Sequence, residues 1–144
     1  MDAYFDSAII VKLYVQEANS PEAIRLVTGF TAPYGLSWWQ TIEMRNAIRL
    51  KAFRREIAPG EMARSLAAFD QDIAAGRWIR LSCSAATAER KVEDISSIHA
   101  AVVGCRTLDI IHVATALVAG ATKFVTFDGR QAALASVAGL EVTG

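Results

Sequence analysis

The chain of 144 residues is 53% hydrophobic and 21% charged, the balance of one ordinary globular domain with a single packed core. Fifteen Lys and Arg offset fifteen Asp and Glu, and the sequence pI is near 6.7. This excludes a basic domain that coats nucleic acid through net charge, so any nucleic-acid role must be local. Cys83 and Cys105 lack the C-x-x-C spacing of a zinc or redox site, which points to reduced thiols in a cytoplasm. Asp2 and Asp6 precede any basic residue, the reverse of a secretory signal, so the mature chain is expected to begin at Met1. The uncharged run 26–42 is broken by Gly29, Pro33, Gly35 and Gln40 and falls short of the roughly 20 apolar residues that span a bilayer.

In chain order, Ala3 to Phe5 reads as a short buried strand that turns directly into a helix carrying Ile9, Ile10, Leu13 and Tyr14. Ser20-Pro21-Glu22 supplies an N-cap, a proline at the first helical position and an early acid, opening a helix to about Gly29. Tyr34 to Ser37 suits a second strand. A helical pattern runs from Trp38 to about Arg55, and Pro59-Gly60-Glu61 opens another that reaches about Ala75, with Gly76 as its C-cap. Trp78 to Leu81 resembles a third strand. Ser84 caps a long Ala-rich helix ending at Gly104, and Thr107 caps the next, which Gly120 ends. Lys123 to Phe127 is a β-branched and aromatic strand, Asp128 caps a helix to Gly139, and 140–142 forms a last strand. Strands alternating with helices predict an α/β sandwich with a mostly parallel sheet, in one domain over 1–144.

Acids that follow buried strands stand at the rim where open parallel sheets bind ligands, and Asp6 and Asp128 both do so. Asp109 lies in the first turn of its helix and Glu43 inside the 38–55 helix, both within possible reach of the same rim. Taken singly, Asp6 and Asp128 read as N-caps, and Asp109 complements a helix dipole. Glu43 projects into the stripe of Trp39, Ile42, Asn46, Leu50 and Phe53, taken as the buried face, where a carboxylate needs a partner. Asp109 shares its helix face with His112, Val113 and Ala116. Carboxylates crowded together raise each other's pKa or recruit a cation, and oxygen-only ligands favour Mg²⁺ or Mn²⁺ over zinc.

Four blocks carry a family resemblance. They are Tyr4-Phe5-Asp6-Ser7-Ala8 continuing through Val11-Lys12-Leu13-Tyr14 to Glu17; Glu43-Met44-Arg45-Asn46-Ala47; Arg106-Thr107-Leu108-Asp109-Ile110-Ile111-His112-Val113-Ala114; and Phe124-Val125-Thr126-Phe127-Asp128-Gly129-Arg130. In this order and separation they resemble a PIN domain of the VapC toxin type across nearly the whole chain. The resemblance implies a PIN-like three-layer α/β/α sandwich, Rossmann-like, with a mostly parallel central sheet and acids at its C-terminal edge. It implies a Mg²⁺- or Mn²⁺-dependent endoribonuclease that inhibits translation as the toxin of a type II toxin-antitoxin pair. Asp6, Glu43, Asp109 and Asp128 match the acidic set. Ser7 and Thr126 match the hydroxyl positions that orient a carboxylate or a metal-bound water. The chain departs from many relatives at Ala8, where a second serine is common, and at Arg130 and Gln131, where some PIN domains have a further acid. A homodimer and a VapB-type antitoxin whose tail blocks the acidic site are implied as partners.

The chemistry expected is hydrolysis of RNA by metal-activated water, with Asp6, Asp109 and Asp128 holding the ion and Glu43 positioning a second water or ion. Arg45, Arg49, Lys51, Arg54 and Arg55 form a basic run without an acid. It reads equally as a solvated helix face, an RNA contact, or a surface for an antitoxin or second protomer. Met44 and Ile48, placed outside the Glu43 stripe, are expected as an exposed partner surface. Lys12 and Glu17 suit an ion pair, and His112 suits packing or a hydrogen bond to Asp109. Trp38 and Trp39 read as core or interface anchors. A haloacid-dehalogenase phosphatase requires an acid where Ala8 stands, and a receiver domain requires an acidic pair before its first helix. The non-enzymatic alternative is an inactive PIN-like scaffold that binds RNA or protein.

Overall fold

The computed structural model describes all residues 1–144. The elements run β1 (Ala3–Phe5), α1 (Ser7–Tyr14), α2 (Ser20–Thr28), β2 (Tyr34–Leu36), α3 (Trp38–Phe53), α4 (Pro59–Ala74), β3 (Trp78–Arg80), α5 (Ala85–Val103), α6 (Thr107–Val118), β4 (Lys123–Val125), α7 (Gly129–Val137) and β5 (Glu141–Thr143). Every strand pair is parallel. No helix is long and apolar enough to cross a membrane. Two compact units are present: Met1–Asp6 with Leu81–Gly144, and Ser7–Arg80.

In the first unit β4 is the middle strand of a three-stranded sheet, with β1 on one side and β5 on the other. Phe5 pairs with Val125 and Val125 with Thr143, so the three carboxyl ends share one edge. The Asp6 N–H to Val125 C=O bond at 3.1 Å and the Thr126 N–H to Thr143 C=O bond at 3.1 Å extend the ladders to that edge. Tyr4, Phe124, Val113, Leu134 and Leu140 belong to one buried cluster with Ile95 and Ile110, and the Tyr4 and Phe124 rings stack at 5.4 Å. Helix α5 starts at an Ser84 cap and stops at Gly104, whose φ of 71° is the left-handed conformation that favours glycine at this position. Both Cys83 and Cys105 are free thiols.

In the second unit β2 pairs with β3, and α1 packs against α2, α3 and α4. The Ser37 side chain and Gln40 form a capping box at the start of α3. Ser20 departs from its expected role as N-cap. It is buried, donates to the Val15 carbonyl and accepts the Glu17 N–H, bracing the turn before α2.

The orientation of α3 corrects the sequence reading. Gln40, Met44 and Ile48 form its buried face, while Ile42, Asn46, Leu50 and Phe53 are exposed and Trp39 and Glu43 are half-buried. Met44 and Ile48 are therefore core residues and not a partner surface. Large apolar residues stand on both sides of this helix, so periodicity alone does not decide which side turns inward.

A polar network lies within this unit. The Tyr14 hydroxyl donates to Asp72 Oδ2 at 2.6 Å and accepts from Trp78 Nε1 at 2.7 Å. Burial pushes the Tyr14 pKa up, and the hydrogen bond to the Asp72 carboxylate adds to the rise. The protonated phenol is thus favoured in the folded chain. Unfolded tyrosine loses its proton near pH 10, so this contribution is fully present below about pH 10 and declines as the pH rises beyond it. Tyr14→Phe is expected to cost about 1–3 kcal/mol in urea unfolding at neutral pH, because Trp78 and Asp72 lose a partner. The deficit shrinks in titrations above about pH 10.

Candidate active site

Three of the four expected acids belong to the first unit and meet in one network. Asp6 follows β1 and is 3% exposed. Its Oδ2 accepts a hydrogen bond from the Thr126 hydroxyl, one residue beyond β4. The same hydroxyl oxygen accepts the Asp128 N–H at 3.0 Å. A single buried threonine thereby ties the acid after β1 to the acid after β4.

Asp128 caps α7, its Oδ1 accepting the N–H groups of Arg130 at 2.9 Å and Gln131 at 3.1 Å. Its Oδ2 faces the Arg106 guanidinium, 3.6 Å from Nη2. Asp109 is buried in the first turn of α6, and its Oδ2 accepts the Arg106 N–H at 2.9 Å and lies 3.4 Å from Arg106 Nε. The cap lies one residue earlier than expected, at Arg106, and Thr107 is the first helical residue. Arg106 is the residue that sequence reasoning missed. It precedes the matching Asp109 by three positions, a spacing that places a residue at the helix end but does not disclose that its guanidinium spans two acids.

Glu43, on α3 of the second unit, accepts a hydrogen bond from the Ser7 hydroxyl at the start of α1. His112 is a packing residue, buried in the core with its Nδ1 3.1 Å from the Tyr4 hydroxyl. Lys12 and Glu17 form an ion pair at 2.6 Å, and Lys51 also contacts Glu17. Within the basic run, Arg45 pairs with Asp70 at 2.6 Å and Lys51 with Glu56 at 3.2 Å. Arg49, Arg54 and Arg55 are exposed without an ion pair.

Two observations test the fit of a hard divalent ion. The donors at the rim are carboxylate oxygens, the type that Mg²⁺ and Mn²⁺ select. Asp109 and Asp128 already share a cationic group, so the position supports positive charge. No group of three or more His, Cys, Asp or Glu side chains stands as a ready-made ligand set, and Arg106 provides the counter-charge. Near the same helix start, Gln131 Oε1 is buried without a hydrogen-bond partner, adding a neutral oxygen to the first turn of α7. The donor type is that of a hard cation, while no set of three such ligands is assembled around one point.

Thr126→Val keeps shape and removes both hydrogen bonds. We expect a loss of about 2–3 kcal/mol in urea unfolding, with Thr126→Ser restoring most of it.

No protein-family model matches the chain, and no curated protein does. Among solved structures, the chain is similar to "Crystal Structure of FitAcB from Neisseria gonorrhoeae", with 16% identity, a TM-score of 0.66, and coverage of 99% of this chain and 96% of that one. The fold is the PIN-like α/β/α class expected from the four blocks.

Proposed function

We propose that the chain is a metal-dependent endoribonuclease of the PIN class that acts in the cytoplasm as the VapC-type toxin of a toxin-antitoxin pair, inhibiting translation. The observation that carries this reading is the network from Asp6 through Thr126 to Asp128 and from Asp128 through Arg106 to Asp109, at the carboxyl edge of a parallel sheet. The four blocks, in their order, and the structural likeness support it. A homodimer and a VapB-type antitoxin are the partners it includes.

Asp6, Asp109 and Asp128 would hold Mg²⁺ or Mn²⁺, with Glu43 as the fourth acid. When bound, the ion supplies charge stabilisation at the phosphoryl oxygens and lowers the pKa of water. Thr126 fixes the orientation of the Asp6 carboxylate, and the cap bonds to Asp128 Oδ1 leave Oδ2 directed outward toward Arg106. Glu43, held by Ser7, positions a water. Arg49, Arg54 and Arg55 are the unpaired cations of the basic run that remain for phosphate.

The test is cleavage of end-labelled cellular RNA by purified protein with Mn²⁺, with Mg²⁺ and with chelator, beside Asp128→Asn. Discrete metal-dependent fragments that vanish in the variant are expected. Equal cleavage by the variant overturns the assignment. The Arg106 guanidinium between two acids also favours a second reading, an inactive scaffold whose cation is built in. That reading requires that millimolar Mn²⁺ leave the thermal midpoint unchanged, since an ion that binds the native state raises its stability.

A further inference from the structure

The backbone and the head group of Arg106 are held in different ways. Its N–H donates to Asp109 Oδ2 at 2.9 Å and fixes the turn into α6. The guanidinium lies between two carboxylates, with Nε 3.4 Å from Asp109 Oδ2 and Nη2 3.6 Å from Asp128 Oδ2. Close charge-assisted bonds run at about 2.7–2.9 Å, so the head group is loosely held. The side chain is 62% exposed, and ion pairs so open to water contribute little to stability. The guanidinium can therefore leave the two acids while the start of α6 stays in place.

The two acids differ in what else binds them. Asp128 Oδ1 is engaged by the Arg130 and Gln131 N–H groups, so Oδ2 is the oxygen left for a cation. The Asp109 side chain is only 5% exposed, and a carboxylate so buried needs a compensating charge. Arg106 supplies that charge to both acids at once. A divalent ion drawn to the same oxygens competes with the guanidinium, because cations crowded at one point repel. The displaced head group stays tethered at the start of α6, within a side chain's length of both acids. Its planar fork of donors matches phosphate in a bidentate fashion.

We infer that Arg106 has two positions, serving Asp109 and Asp128 as their counter-ion and passing to a phosphate group of the RNA when a divalent ion takes the carboxylates. Binding of RNA through this residue is then conditional on the ion. The inference rests on the proposed nuclease reading and assigns a substrate contact to a residue outside the basic run 45–55.

Titrations of the full chain and of Arg106→Gln read the result. The variant loses the charge and keeps the backbone N–H that Asp109 accepts, so it remains folded. Calorimetry is expected to show about tenfold tighter Mn²⁺ binding by Arg106→Gln. Arg130→Gln removes an exposed cation from the neighbouring helix and is expected to leave Mn²⁺ affinity unchanged. Anisotropy of a labelled single-stranded RNA of mixed sequence, with Ca²⁺ in place of Mn²⁺ so that binding is read apart from cleavage, is expected to show binding about five- to tenfold weaker in Arg106→Gln. In chelator the two proteins are expected to bind this RNA alike, because the acids then hold the head group of the unaltered chain.

Equal Mn²⁺ affinity in Arg106→Gln and the unaltered chain overturns the inference and leaves metal-dependent cleavage standing. So does an equal gain in Arg130→Gln, which makes the effect one of net charge. An RNA deficit of the same size with Ca²⁺ and with chelator, or no deficit in either, also overturns it, since the guanidinium then does not change place. Absence of Mn²⁺ binding by both proteins overturns the inference and the nuclease reading together.

Discussion

Asp109→Asn is expected to lower metal-dependent RNA cleavage by about a hundredfold or more, while the chain stays folded. The amide oxygen of asparagine still accepts the Arg106 N–H that now reaches Asp109 Oδ2 at 2.9 Å, so the start of α6 is preserved. What disappears is one negative charge from the rim, and with it the affinity for a hard cation. Calorimetric titration with Mn²⁺ measures that loss without relying on turnover. Unchanged Mn²⁺ affinity together with unchanged cleavage would remove Asp109 from the site and leave it as a helix cap. Asp6→Asn should behave in the same way, since an amide oxygen still accepts the Thr126 hydroxyl.

The largest stability effect is expected at Phe124. This residue is fully buried in the middle strand of the three-stranded sheet and stacks on Tyr4. Phe124→Ala removes ring contacts on both sides of β4 and leaves a cavity, at a cost of about 3–5 kcal/mol. Small domains have only about 5–15 kcal/mol in total, so urea unfolding should show a substantial fall in the midpoint. Phe53→Ala is the control. At 83% exposure its effect is expected to stay within about 0.5 kcal/mol. Equal losses at the two positions would refute the burial assigned to both.

Much of this architecture is readable from local chemistry. Ser84 and Gly104 bound α5, Asp128 caps α7, and the short apolar runs at 3–5 and 123–125 form strands, because each signal acts within a few residues. The network at Asp6, Thr126 and Asp128 is legible for the same reason: Asp6 and Thr126 immediately follow strands, Asp128 comes two residues after Thr126, and parallel pairing brings the strand ends together. Two features are not legible. The inward side of α3 depends on which of two apolar faces finds neighbours, a choice made by packing with α1 and α4. The bridging role of Arg106 depends on a long flexible side chain meeting Asp128, twenty-two positions away in sequence. The ion pair of Lys51 with Glu17 likewise absorbs a cation that the sequence presents as part of the basic run.

The hydrogen bond between Thr126 and Asp6 spans 120 positions, and this has a consequence for the timing of synthesis. Residues 7–80 are continuous and contain both strands of their own sheet, so their pairing is complete soon after they leave the ribosome. The unit that carries Asp6, Asp109 and Asp128 is interrupted in the chain. Its first strand is made at the outset and waits for β4, which arrives about ten seconds later at typical translation rates of about 5–20 residues per second. A nascent chain therefore carries the earliest acid of the site long before the site can exist. The rim closes only when translation of the chain is nearly finished, so the three acids are brought together among the last events of synthesis.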